Sequence, residues 1–326
     1  MKKFLPDKFV LTMLCIVLLA FLFPYPASPD FFIDLTLVTQ IGIALVFFLH
    51  GANLEPSKLV ASLKNWKAHG LTQATTFILF PVLGLAIYYS TGDVLAKELR
   101  LGIFFLTALP STISSSIAMT ALARGSVPVA VFNATLSSLF GMIITPTLIA
   151  LVSTSALGNM SLLSSVQDIA QTLLAPFILG QLARPIIQKV VSKHKWILNR
   201  LDRGVILLII YVSFAKSTIE NVWSQFSAMQ FGLTAIIVLT ILALTITTTT
   251  FLARKLNLSL EDEIAAVFCG STKSLANGAP IAQILFAGSP QLALIMLPLM
   301  LYHQLQLIAC ATLARKYADK AMETND

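Results

Sequence analysis

The sequence predicts an all-α integral membrane protein of ten transmembrane helices, and three observations carry that expectation. Of 326 residues, 56% are hydrophobic and only 11% are charged, whereas soluble domains carry roughly 25% charge. So few charges cannot cover the surface of a soluble fold of this length, which excludes a cytosolic enzyme, and so apolar a chain is not intrinsically disordered. The apolar residues gather into ten runs, near 9–27, 34–53, 69–90, 99–123, 127–152, 164–187, 203–220, 230–253, 262–287 and 290–314. Each is close to the roughly 20 residues that a helix needs to cross a bilayer, and none alternates in polarity as a β-barrel strand does. The third observation is that lysines and arginines concentrate in every second connection between the runs.

The first span follows Met1-Lys2-Lys3 and imitates a secretory leader. Prolines at 24, 26 and 29 interrupt the place where a small-residue cleavage site would stand, so the segment is expected to remain as a span. With a cytoplasmic N-terminus, the inside segments hold Lys2, Lys3 and Lys8, then Lys58, Lys64 and Lys67, then Arg124. They continue with Arg184, Lys189, Lys193, Lys195, Arg200 and Arg203, then Arg254 and Lys255, and finally Arg315, Lys316 and Lys320. The outside segments hold only Lys97, Arg100 and Lys216. That asymmetry places both termini in the cytoplasm of a multi-pass protein of the plasma or inner membrane. The net charge of +7 is therefore mostly an orientation signal. The surrounding partner is lipid, no nucleic acid is expected, and monomer and homodimer both stay open. Cys15, Cys269 and Cys310 lie in apolar runs without metal-ligand spacing, so neither a disulfide framework nor a metal site is expected.

The longest inside connection, about 188–202, divides the chain into halves of five spans. Repeat one covers about 1–155 (1–187 with the sixth span, up to the central loop) and repeat two 156–326. Span four carries Ser111-Thr112-Ile113-Ser114 and span nine carries Ser271-Thr272-Lys273-Ser274, and each is followed by a Gly-Ser pair, Gly125-Ser126 and Gly288-Ser289. An odd number of spans per half inserts the halves with opposite orientation, the inverted-repeat plan of secondary transporters. Both matched spans look interrupted: span four at Pro110, Ser111, Thr112, Ser114, Ser115 and Ser116, and span nine from Gly270 through Asn277, Gly278 and Pro280. Irregular backbone at membrane depth is tolerated only where it is buried in protein or lines a cavity. The two clusters therefore read as a binding site in preference to helix-packing faces of small residues.

Residues Met119-Thr120-Ala121-Leu122-Ala123-Arg124-Gly125-Ser126-Val127, with Ile144-Thr145-Pro146 and the stretch Gly270 to Gly278, resemble the bile acid:sodium symporter superfamily. The resemblance is closest to its bacterial SBF-like branch and runs over nearly the whole chain. It implies ten helices in two inverted repeats. Panel helices would lie in 9–53 and 164–220, core helices in 69–152 and 230–314, and the broken helices four and nine would cross within the core. It also implies symport with sodium as the coupling ion and no other cofactor; a proton, handled by a buried Lys273 with His303, is the other coupling ion that the residues leave open. The chain departs from the family pattern where sodium-coupled members carry their ligands. Phe268 stands at a glutamate position, and Thr272 and Lys273 at a Gln-Asn pair. Ala130 and Ala134 stand at helix-five hydroxyl positions beside Asn133 and Thr135, and Thr76 aligns near a helix-three glutamine, with Gln73 one turn away.

A lysine at the centre of a span costs about 3 kcal/mol on insertion scales, and no acidic residue lies deep in a span. Lys273 is therefore expected to face a wet cavity or a charged ligand. Together with two half-helix N-termini it points to a small organic anion as substrate. The candidate substrate contacts are Ser111, Thr112, Ser114, Ser115, Ser116, Asn133, Lys273, Ser274, Asn277 and His303. The candidate cation contacts are Ser116, Thr135, Ser271, Thr272 and Gln73. A second role for Lys273 is open at this point, in which its ammonium stands in for the sodium ion. An enzyme is not expected, because no G-x-S-x-G elbow accompanies Lys273 and no phosphate-cradling motif is present. The remaining alternative is a membrane regulator with a transporter fold and no net transport.

Overall fold

The computed structural model describes residues 8–54, 65–92, 94–157 and 170–323. Lys2, Lys3, Lys58, Lys64 and the start of the sixth expected span lie outside the described residues. All regular structure among the described residues is helical. The helices are α1 (Lys8–Leu22), α2 (Leu35–Asn53), α3 (Trp66–Ser90), α4 (Lys97–Ala108), α5 (Ser114–Leu122) and α6 (Val127–Leu157). The chain continues through α7 (Ala175–Lys193), α8 (Lys195–Ile219), α9 (Ala228–Lys255), α10 (Leu260–Ser271), α11 (Leu275–Leu285) and α12 (Leu292–Glu323). Among the described residues, α2, α3, α6, α9 and α12 are each long and apolar enough to cross a membrane unaided. The fourth and ninth expected spans are instead divided, into α4 with α5 and α10 with α11.

Local chemistry sets several helix ends. Asp34 Oδ1 accepts the N–H groups of Thr36 at 2.8 Å and Leu37 at 3.2 Å, capping α2. Those donors hold its carboxyl below the usual carboxylate range. Ser259 caps α10 through the Asp262 N–H at 3.2 Å. Glu261, Asp262 and Glu263 then fill the first turn of α10, where the helix dipole favours negative charge.

The chain forms two compact units. One comprises Met1–Leu54, Gln167–Ser227 and Ala279–Leu294. Within it α2 and α7 touch backbone to backbone: a Cβ on Gly51 would collide with the Phe177 carbonyl, and one on Gly180 with that of Phe48. Lys216 Nζ donates to Thr36 Oγ1 at 2.8 Å in the same unit.

The other unit comprises Glu55–Val166, Ala228–Gly278 and Ile295–Asp326. In it α4 is buried along nearly its whole length. Gly102 lets α4 approach α12 so closely that a Cβ there would stand 2.5 Å from the Ile295 carbonyl oxygen. Arg254 pairs with Glu263 at 3.1 Å, and Tyr317 donates to the same carboxylate at 2.8 Å. That carboxylate is nearly buried while the guanidinium is mostly exposed.

Candidate functional site

The two interruptions meet inside the second unit. Pro110 removes a backbone N–H and disfavours a helical Leu109, which is extended at φ −71°, ψ 153°. The chain re-enters a helix at Ser114. The other break has no proline of its own. Ser271 Oγ and Thr272 Oγ1 instead donate back to the carbonyls of Val267 at 2.6 Å and Phe268 at 2.7 Å, which competes with continuation of the helix. Thr272 turns extended at φ −102°, ψ 150°.

Each break leaves backbone groups without helical partners, and the two breaks answer one another. Ser274 N–H donates to the Pro110 carbonyl at 2.9 Å. Thr145 Oγ1 donates to the Ala108 carbonyl at 2.7 Å, and the Ser111 N–H donates to Ser137 Oγ at 2.9 Å. On the other side, the Gln306 side-chain amide grips both faces of the Lys273 peptide. Its Oε1 accepts the Lys273 N–H at 2.8 Å and its Nε2 donates to the Lys273 carbonyl at 2.9 Å. Tyr302 OH donates to the Ser271 carbonyl at 2.6 Å. A buried hydroxyl cluster bridges the breaks: Thr272 Oγ1 lies 2.7 Å from Ser116 Oγ and 3.2 Å from Ser111 Oγ.

Lys273 lies at the centre, fully buried. Its Nζ donates to the carbonyls of Thr76 at 3.0 Å, Thr107 at 2.8 Å and Leu109 at 2.6 Å. The ammonium also sits 4.0 Å from the centre of the Phe80 ring, a cation–π contact in a desolvated place. The Thr107 and Leu109 carbonyls are at the C-terminal, negative end of α4. The Thr76 carbonyl is free for a separate reason. Residues Thr75–Leu79 form a π turn in which the Phe80 N–H reaches back to Thr75 O, and Pro81 has no N–H to offer. All three ammonium protons are used. Lys273 therefore turns inward onto main-chain oxygens; the sequence leaves open a wet cavity, a charged ligand or a place vacated by a sodium ion.

The other expected contacts divide. Ser111, Ser116, Thr272, Lys273 and Ser274 are gathered at the crossing by the bonds above. Ser115 Oγ donates to Thr112 Oγ1 at 3.1 Å, and Ser114 is exposed at the start of α5. Asn277 Nδ2 donates to Ser138 Oγ at 2.8 Å, and the Asn277 N–H donates to Ser274 Oγ at 3.1 Å. His303 Nδ1 lies 3.0 Å from Gln306 Nε2, beside the amide latch and not at the ammonium. Gln73 Nε2 donates to the carbonyl and side-chain oxygens of Asn133 at 3.1 and 3.3 Å, and Asn133 Nδ2 donates to the Val129 carbonyl. Thr135 and Ser271 bond back along their own helices. Gln306, Tyr302, Ser137, Ser138 and Thr145 are contributors that sequence reading passes over. A glutamine and a tyrosine one helical turn apart in an apolar span are the signal that could have found the first two.

The chain matches the SBF-like CPA transporter family over residues 7–319. It is 45% identical to an uncharacterised protein of Pseudomonas aeruginosa, the alignment covering 97% of this chain and 94% of that one. It is 39% identical to the candidate symporter YfeH of Escherichia coli, over 95% of this chain and 92% of the relative. More distantly, it is 28% identical to the sodium/bile acid cotransporter 7 of Rattus norvegicus, over 83% and 80%. These relatives point to transport and not to catalysis, and to a multi-pass protein embedded in lipid. The chain belongs to the SBF-like CPA transporter family.

Proposed function

We propose that the protein is a secondary transporter that carries a small organic anion across the plasma or inner membrane by alternating access. One observation carries the choice of an anion: the Lys273 amine is held by three carbonyls at the crossing of two interrupted helices, the arrangement an ammonium requires, and no carboxylate pairs with it among the described residues. Carbonyl dipoles hold its protons but do not cancel its charge, and in a poorly screened interior that field extends to neighbouring groups. The N-termini of α5 and α11 add partial positive charge. Thr112, Ser114 and Ser115 at the start of α5, with Ser274 and Asn277 at the start of α11, are the groups we assign to the solute. Ser111, Ser116, Asn133 and His303 support them from behind. Broken helices around a buried polar cluster are how many secondary transporters bind their solutes.

In this reading the ten spans are two inverted repeats, about 1–155 and 156–326. Helices in 9–53 and 164–220 act as a panel and those in 69–152 and 230–314 as a core, with both termini cytoplasmic. The rival reading, a membrane regulator with no net transport, draws on the complete internal bonding of the crossing. Counterflow separates the two: liposomes carrying the protein and preloaded with unlabelled organic anions should accumulate the labelled anion transiently. Failure of a broad set of mono- and dicarboxylates and sulfonates to show counterflow sinks the transport reading.

A further inference from the structure

We propose that the crossing of the two breaks is a cation site made of main-chain oxygens and that Lys273 is its permanent occupant. The folded and working protein then needs no metal cation at this place. Three carbonyls converge on one buried point from two separate irregularities, the π turn of α3 and the C-terminal end of α4 before Pro110. The point is 3.0, 2.8 and 2.6 Å from the oxygens of Thr76, Thr107 and Leu109. An aromatic face closes it at 4.0 Å. Oxygens so arranged around one buried point are a coordination shell for a positive charge.

The occupant is supplied by the chain. The second break presents Lys273 from an extended segment whose peptide is clamped on both sides by Gln306, so the ammonium is delivered with its backbone already fixed. Among the described residues the amine is not part of an ion pair: Glu263, a buried carboxylate of the same unit, is taken by Arg254 and Tyr317. The arrangement also accounts for a lysine deep in an apolar span. Its three protons are fully bonded, and the three carbonyls would otherwise be orphaned in a medium that offers them nothing.

The inference rests on the transport reading only for its consequence, solute movement that does not depend on sodium; the site itself is tested without any solute. Thermal unfolding of the wild-type protein in detergent should give the same midpoint in sodium, potassium and choline chloride. Saturable stabilisation by sodium would overturn the proposal, and this measurement decides even if the variant below does not fold. Lys273→Ala should unfold at a lower temperature. Addition of n-propylammonium should raise the midpoint with saturable dependence, because a small primary ammonium refills the emptied cage; sodium restoring it would equally mark a cation site. Rescue by neutral n-propanol to the same extent, or rescue by no cation at all, would overturn the proposal. Counterflow of a transported anion should be equal in sodium and choline. An absence of all counterflow would sink the transport reading while leaving the thermal series to judge the cation site.

Discussion

The two breaks carry the same four-residue pattern, Ser-Thr-x-Ser, and use it in opposite ways. In the first, the variable residue is Ile113, which is 37% exposed; in the second it is Lys273, which is fully buried. The first break offers acceptors, the carbonyls of Thr107, Leu109 and Pro110. The second offers donors, Lys273 Nζ and the Ser274 N–H, while the Thr272 hydroxyl, its proton already given to the Phe268 carbonyl, accepts from the serines of the first. Neither is satisfied alone. The comparison teaches that one short motif used twice can interrupt a helix both times while a single differing side chain divides the roles, one break becoming the cage and the other its plug.

The sharpest way to break that division is at the clamp on the plug. Gln306→Leu leaves both the N–H and the carbonyl of Lys273 buried without partners, where each orphaned group costs about 1–3 kcal/mol. The expected result is a loss of roughly 2–6 kcal/mol, read as a fall in unfolding midpoint second only to that of losing Lys273 itself. A midpoint within a degree or two of wild type would mean that the amide is a bystander. The cage side can be strained instead of emptied. A Cβ on Gly141 would stand 2.5 Å from the Pro110 ring. Gly141→Ala should therefore cost about 1–3 kcal/mol by overpacking, and Gly141→Ser should do no better. Thr145→Val removes one hydroxyl donor from the Ala108 carbonyl while keeping shape, for a loss of about 1–2 kcal/mol. If Thr145→Val proved more damaging than Gln306→Leu, the first break would be the more dependent of the two, against the roles assigned above.

Much of this arrangement is legible in the amino-acid sequence, and the limit falls at a definite place. Pro110 and the two Ser-Thr-x-Ser clusters announce interruptions because their causes are local: a missing N–H, a carbonyl without a partner and hydroxyls that compete for backbone. The apolar runs likewise announce helices through composition and length. The direction of Lys273 is another matter. In an extended segment no helical period says which way a side chain points, so an uncompensated lysine reads naturally as facing water or a ligand. The acceptors that turn it inward are main-chain oxygens of Thr76, Thr107 and Leu109, and no side chain advertises them. His303 illustrates the same limit within one polar run, where Tyr302-His303-Gln304-Leu305-Gln306 draws attention to the titratable residue. The groups on the broken peptides are Tyr302 and Gln306, on the buried face of α12.

The smallest expected effect is the most discriminating between a matched pair of breaks and an unequal one. Ile113 occupies in the first motif the place that Lys273 occupies in the second, and its side chain is 37% exposed. If the breaks were equivalent supports, truncating either variable residue would loosen the crossing. If the first break is only the cage, its variable residue contributes little, because the acceptors belong to the backbone before it and Ile113 makes none of the bonds that close the crossing. Ile113→Ala should then shift stability by no more than about 0.5 kcal/mol, as expected for an exposed position away from buried networks. Lys273→Ala at the corresponding place should lower the midpoint severely. Measured side by side by thermal unfolding in the same detergent, comparable losses for both variants would refute the division into cage and plug.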